Sequence, residues 1–143
     1  MSKRILTHLS TCDLVLAGVI QAAGPYRLRP DLQGSPFKSL ARAIANQQLN
    51  GTAAATILNR FIAAVGSGDG AFPTPEEVLA APAPVMRACG FSQAKVAALK
   101  DLALKTQEGV VPDQATLVGL DDLEIIERLT QVRGIGRWTV EMM

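Results

Sequence analysis

The chain has two cysteines and one histidine in 143 residues, and each scarcity removes a class of chemistry. Cys12 and Cys89 stand far apart and form no Cys-x-x-Cys pair, too few for a four-cysteine zinc or iron–sulfur site. Both are expected to be buried, reduced thiols. His8 alone gives no material for a histidine triad or a histidine-rich metal site. No apolar run approaches the ~20 residues that cross a bilayer. Met1-Ser2-Lys3-Arg4 leads into a short mixed segment rather than the apolar core of a signal peptide. The expected compartment is therefore reducing, the cytoplasm (or a eukaryotic nucleus), with no membrane partner. Charge of one sign is also missing: 14 Lys and Arg against 13 Asp and Glu leave a formal net charge of +1. Bulk charge does not advertise nucleic acid, but a local patch or a helix N-terminus can still grip phosphate.

What is present is an ordinary soluble composition, 48% hydrophobic and 19% charged, with much alanine. Alanine is the best helix former because it loses no side-chain entropy. The apolar spacing agrees, and no segment alternates as a strand would, so an all-α chain is expected. Ser10 or Thr11 is expected to cap a first helix with Asp13 in its first turn, carrying Leu14, Val15, Leu16, Val19 and Ile20 and ended by Gly24-Pro25. Tyr26 to Gly34 reads as a connection. Ser35-Pro36 starts a helix with Phe37, Leu40, Ala41, Ile44, Ala45 and Gln48 on one face. Asn50 caps the next, with Ala54, Ile57, Leu58, Phe61, Ile62 and Val65. Thr74-Pro75-Glu76-Glu77 opens a short helix, Pro82 and Pro84 punctuate, and Ser92 caps a longer helix bearing Val96, Leu99, Leu102 and Ala103. Asp121-Asp122 caps another bearing Leu123, Ile126 and Leu129.

The sharpest local feature is Leu129 to Thr139, LTQVRGIGRWT. One helix ends near Gln131, Gly134-Ile135-Gly136 makes a tight hairpin, and a second helix begins. Glycines leave the backbone bare, and the amides opening a helix carry partial positive charge that suits a phosphate. Carbonyls in the turn can face a monovalent cation. A plain helix–helix connection has the same glycines, and this motif alone does not separate the two.

Two further segments precede it: Phe37 to Phe61, FKSLARAIANQQLNGTAAATILNRF, and Arg87 to Lys95, RACGFSQAK. With Val132 to Met142, VRGIGRWTVEM, they occur in the order that resembles the helix-hairpin-helix (HhH-GPD) DNA glycosylases, in particular the 3-methyladenine glycosylase II-like branch. The resemblance covers about Phe37 to Met143. It implies a multi-helix glycosylase fold and monofunctional hydrolysis of the N-glycosidic bond of alkylated purines, of the 3-methyladenine and 7-methylguanine type, after the base is flipped from duplex DNA. It places Gly134, Gly136, Arg137 and Thr139 at DNA phosphates. Trp138 falls in the base pocket, where a π-face suits a cationic purine. Gln47, Gln48, Leu49 and Asn50 fall in the loop that wedges into the vacated stack. The backbone carbonyls of Thr130, Val132 and Ile135 match a structural Na+ or K+, and no other cofactor is implied. On the residues alone, Trp138 reads as a core tryptophan, and Gln47 to Asn50 read as a helix end with the next cap. Arg87 and Lys95 read as surface charges.

The resemblance also sets expectations about what the chain does not carry. Relatives that cut the DNA backbone have a nucleophilic lysine where this chain has Trp138, so lyase chemistry is not expected. Relatives with an iron–sulfur cluster need four cysteines. The family's catalytic aspartate lies in a loop after the helix that follows the hairpin, and this sequence ends inside that helix. Asp121 and Asp122 precede the hairpin and read as caps. Residues 36–143 are thus expected to form a hairpin-bearing domain that is C-terminally incomplete and inactive alone. Residues 1–35 are expected to be a helical segment that packs with later helices, leaving Leu14, Leu16 and Val19 exposed without them. The full-length protein is expected to be a monomer. A non-catalytic helix-hairpin-helix DNA-binding module is the main alternative, and a structural helical protein with no DNA role is a third.

Overall fold

A computed structural model describes residues 3–25, 34–68 and 70–143. Most of the expected connection from Tyr26 to Gly34 lies outside them. The described residues form helices and turns without any strand. They fall into two compact units, Met1–Asp31 and Leu32–Met143.

The first unit holds α1 (Lys3–Cys12) and α2 (Leu14–Ala23). The cap expected at Ser10 or Thr11 is instead Asp13. Its Oδ1 accepts the amides of Val15 at 2.7 Å and Leu16 at 3.0 Å. Asp13 is in extended conformation, which aims its carboxylate at the first turn of α2. Ser10 and Thr11 lie within α1, where the Thr11 hydroxyl donates to the His8 carbonyl. Gly24, at φ +70, ends α2 as expected. Cys12 is exposed, against expectation, because no residue of α1 is buried. Leu14 and Val19 are exposed and Leu16 half-buried.

The second unit contains α3 (Pro36–Asn46), α4 (Gly51–Val65), α5 (Pro75–Ala80), α6 (Ala83–Ala88), α7 (Gln93–Gln107), α8 (Gln114–Val118), α9 (Asp122–Leu129) and α10 (Arg137–Glu141). Their starts follow local chemistry. Asn50, Ser92 and Asp121 each accept an amide of the first turn of α4, α7 and α9. Thr74 and Glu77 close a reciprocal capping box on α5. The Ser35 side chain accepts no amide, and α3 begins on the fixed φ of Pro36. Pro82 and Pro84 do more than punctuate: Pro84 sits in the first turn of α6, where a missing N–H costs nothing. The short α8, capped by Asp113, has too few apolar positions to show a period in the sequence.

Helix α7 is the hub, packed on α3, α5 and α6, with Val96, Ala98, Leu99, Leu102 and Ala103 buried. All four phenylalanines share the core. Phe61 meets Phe72 and Phe91 edge to face at 6.1 and 5.3 Å, and Phe72 meets Phe37 at 6.2 Å. Such pairs add about 0.5–1.5 kcal/mol each beyond area burial. Leu129 is buried as expected, whereas Leu123 is exposed. Lys100 reaches from α7 to the end of α5, donating to the carbonyls of Leu79 and Ala81 at 2.7 and 2.6 Å. A lysine there satisfies carbonyls that have no partner within the helix.

The turn between α6 and α7 is built on Gly90. Its φ is +113, and a Cβ there would fall 2.9 Å from Ile57 Cγ1. Gly90→Ala therefore meets both backbone strain and a packed side chain. We expect destabilisation of about 2 kcal/mol or more, read as a lowered melting temperature. A variant that melts like wild type would show that the turn relaxes freely.

Candidate nucleic-acid interface

The hairpin between α9 and α10 is held from below and bare above. The side chains of Leu129, Val132 and Ile135 are buried. The Ile135 amide closes a turn onto the Val132 carbonyl at 3.0 Å. Asp101 of α7 fixes the turn from outside the motif: its Oδ2 accepts the Arg133 amide at 2.7 Å, while Oδ1 pairs with Lys105. Gly134 has φ +80, and its notional Cβ would make only an ordinary 3.7 Å contact with Ala98. Gly134 thus answers a backbone requirement rather than a lack of space.

Gly136 differs. It caps α10 at φ −99 and ψ 167, a conformation open to any residue. Nothing lies within 4 Å of where its Cβ would be. The amides of Gly136, Arg137 and Trp138 meet no acceptor among the described residues. Those of Thr139 and Val140 both donate to the Gly136 carbonyl, at 2.9 and 3.3 Å. The outward donors are therefore 136, 137 and 138, and the Thr139 amide is engaged within the turn. The Arg137 side chain pairs with Glu141 at 2.7 Å. Both are well exposed, so the pair adds little stability.

Thr130, Val132 and Ile135 bring three carbonyls into this same turn. Val132 already accepts the Ile135 amide, and those of Thr130 and Ile135 accept no hydrogen bond among the described residues. Neutral carbonyl oxygens suit a hard cation of low charge. No cluster of three His, Cys, Asp or Glu that would suit a more highly charged metal occurs among the described residues.

The second element is the loop after α3, which ends at Asn46, so Gln48 lies beyond the helical face expected to carry it. Gln48 adopts φ 58, the one left-handed non-glycine among the described residues. Strain of this kind collects where structure is imposed from outside. The Leu49 amide turns back to the Asn46 carbonyl at 3.1 Å, and the Leu49 side chain is exposed. Asn50 takes the Ala53 amide at 2.8 Å. Gln47 joins this loop to the hairpin: its Nε2 donates to the Gly134 carbonyl at 2.8 Å, across 87 residues of sequence.

Trp138 supplies the third element. It is 72% exposed, so the core reading of this tryptophan does not hold. It lines a groove of about 610 Å³ with Arg42, Asn46, Gln47, Gln48 and Met142. The hairpin helix, the loop and the aromatic thus share one face of the second unit.

Two contributors were not legible as such. Lys95 is half-buried, not a free surface charge: its Nζ donates to the carbonyls of Ala45 at 2.9 Å and Gln47 at 2.8 Å. Burial lowers the pKa of its ammonium below the usual lysine value. Its place in the Arg87–Lys95 motif was the available signal. Asp101 had none, since a side chain that binds a backbone amide 32 residues away leaves no spacing pattern.

Comparison with known proteins places these elements in a family. A model of the HhH-GPD superfamily base excision DNA repair protein matches residues 41–143. DNA-3-methyladenine glycosylase 1 of Schizosaccharomyces pombe is 41% identical over 149 residues, covering 99% of this chain and 64% of the relative. The chain thus spans just under two thirds of that relative's length. Among solved structures, the S. pombe 3-methyladenine DNA glycosylase in complex with abasic DNA superposes with a TM-score of 0.82 at 42% identity, over 98% of this chain and 68% of that one. The DNA-3-methyladenine glycosidase of Bacillus halodurans gives 0.78 at 32% identity, over 99% of this chain and 62% of that one.

Proposed function

The chain belongs to the HhH-GPD superfamily of base excision DNA repair proteins, and from that membership we propose that the protein it represents hydrolyses the N-glycosidic bond of alkylated purines in duplex DNA. One observation carries this reading beyond family membership. The Gln47 bridge ties the Gln47–Asn50 loop to the hairpin, and the groove bearing Trp138 opens beside both. A module that only held DNA would need the hairpin and would have no use for the loop or the groove.

The division of labour follows from the chemistry. The free amides of Gly136 and Arg137 would grip a phosphate, with a Na+ or K+ on the Thr130, Val132 and Ile135 carbonyls stiffening the turn. Leu49 and its neighbours would fill the space left in the stack. Trp138 would face the extruded base, where a π-surface favours an electron-poor purine. A purine methylated at N3 or N7 already carries positive charge and leaves readily, so the demand falls on stabilising charge that develops on the sugar. The resemblance assigns that task to an aspartate in the loop after the hairpin helix. Asp121 is engaged as the cap of α9 and does not occupy that place.

The test is base release. Full-length protein incubated with methylated duplex is expected to free 3-methyladenine or 7-methylguanine and to leave undamaged DNA intact. Tight duplex binding without release would support the non-catalytic module instead.

A further inference from the structure

Lys95 joins three things that the sequence keeps far apart. It sits in the first turn of α7, whose cap is Ser92. Its ammonium donates to two carbonyls at the end of α3, Ala45 at 2.9 Å and Gln47 at 2.8 Å. Those carbonyls lie where a helix leaves its last acceptors without partners and where its dipole is negative. The Gln47 peptide is thereby held on one side by Lys95, and its side chain is held on the other by the Gly134 carbonyl. The next residue is Gln48, with its left-handed backbone, and after it comes the exposed Leu49. A strained turn of this kind keeps its shape only when its neighbours are fixed.

We propose that Lys95 is a positioning residue for base extrusion, holding the end of α3 so that Gln48 and Leu49 project at a set height beside the hairpin. This rests on the glycosylase reading, because it takes the Gln47–Asn50 loop as the wedge. Lys95 itself need not touch DNA. Among the described residues no carboxylate forms an ion pair with it, so the two carbonyls are its main protein partners. An ammonium with three donors on a flexible stem suits two converging carbonyls better than a planar guanidinium fork does.

The test compares full-length wild type with Lys95→Met, which keeps the stem and loses both bonds, and with Lys95→Arg. Affinity is measured for an intact duplex and for one with an abasic site, alongside thermal melting and amide exchange at Leu49. Lys95→Met is expected to bind intact duplex within about threefold of wild type but to lose about tenfold of any preference for the abasic site. Exchange at the Leu49 amide should accelerate, and Lys95→Arg should recover part of the preference. A folded Lys95→Met that keeps the full preference would overturn the proposal. So would one that loses affinity for both duplexes by the same factor. Should Lys95→Met fail to fold, Lys95→Gln carries the same comparison. Equal binding of both duplexes by wild type would remove the wedge reading of the loop, and absence of base release would remove the glycosylase reading. Faster exchange at Leu49 in Lys95→Met would then still support Lys95 as what holds the loop, and unchanged exchange would overturn that too.

Discussion

Gly136→Val is expected to weaken duplex binding by about ten- to a hundredfold while leaving the melting temperature close to wild type. The two halves of that expectation come from different observations. The fold should tolerate valine because Gly136 has an extended backbone and open space around its missing Cβ. Binding should suffer because that open space is where a phosphate would approach the amides of residues 136–138. A branched side chain there keeps the phosphate at a distance and weakens hydrogen bonds to an anion, each worth about 1.5–3 kcal/mol. Gly134 provides the contrast. At φ +80 it cannot take valine without strain, so Gly134→Val should lower stability as well as binding. Titration of labelled duplex and a thermal melt on the two variants separate the cases. Unchanged affinity in a folded Gly136→Val would mean that the hairpin does not meet DNA.

Trp138→Ala, in the full-length protein, is expected to reduce excision by about one to two powers of ten, with little change in affinity for undamaged duplex. Phosphate contacts form with any duplex and are indifferent to the lesion. An aromatic in the groove meets only a base that has left the stack, and stacking there is worth roughly 1–3 kcal/mol per base. Removing a core tryptophan costs roughly 3–5 kcal/mol of stability, which would lower binding and excision together. The 72% exposure of Trp138 argues against that outcome, so the variant should melt near wild type. A large fall in melting temperature would instead mean that the side chain packs against the fold. Normal excision by a folded variant would remove Trp138 from the base pocket.

How much of this was legible in the sequence depended on the range of the interaction. Caps such as Asn50 and Asp121 act within three residues, and side-chain type with spacing found them. The cap of α2 was misplaced by only a few residues, because Ser10 and Thr11 offered oxygens of the same kind as Asp13. Helix α6 was missed because proline usually breaks a helix, and only its position in the first turn makes Pro84 compatible with one. The hairpin was visible through its glycines, but the two glycines looked alike. Their different backbone angles show that the turn requires glycine at 134 and not at 136. The links from Lys95 to Gln47, from Gln47 to Gly134 and from Asp101 to Arg133 span 32 to 87 residues. Pairings at that distance are created by the fold and leave no period to read.

The exposure of Trp138 has an optical consequence. It is the only tryptophan in the chain, so indole emission excited at the red edge of the absorption band comes from one place, the groove beside the hairpin. In the free protein that indole faces water and should emit at long wavelength. A flipped base stacked against it should quench the emission, and contact with intact duplex at the hairpin should change it far less. On the proposed function, this tryptophan would be an unlabelled reporter that times extrusion of the base separately from capture of the DNA.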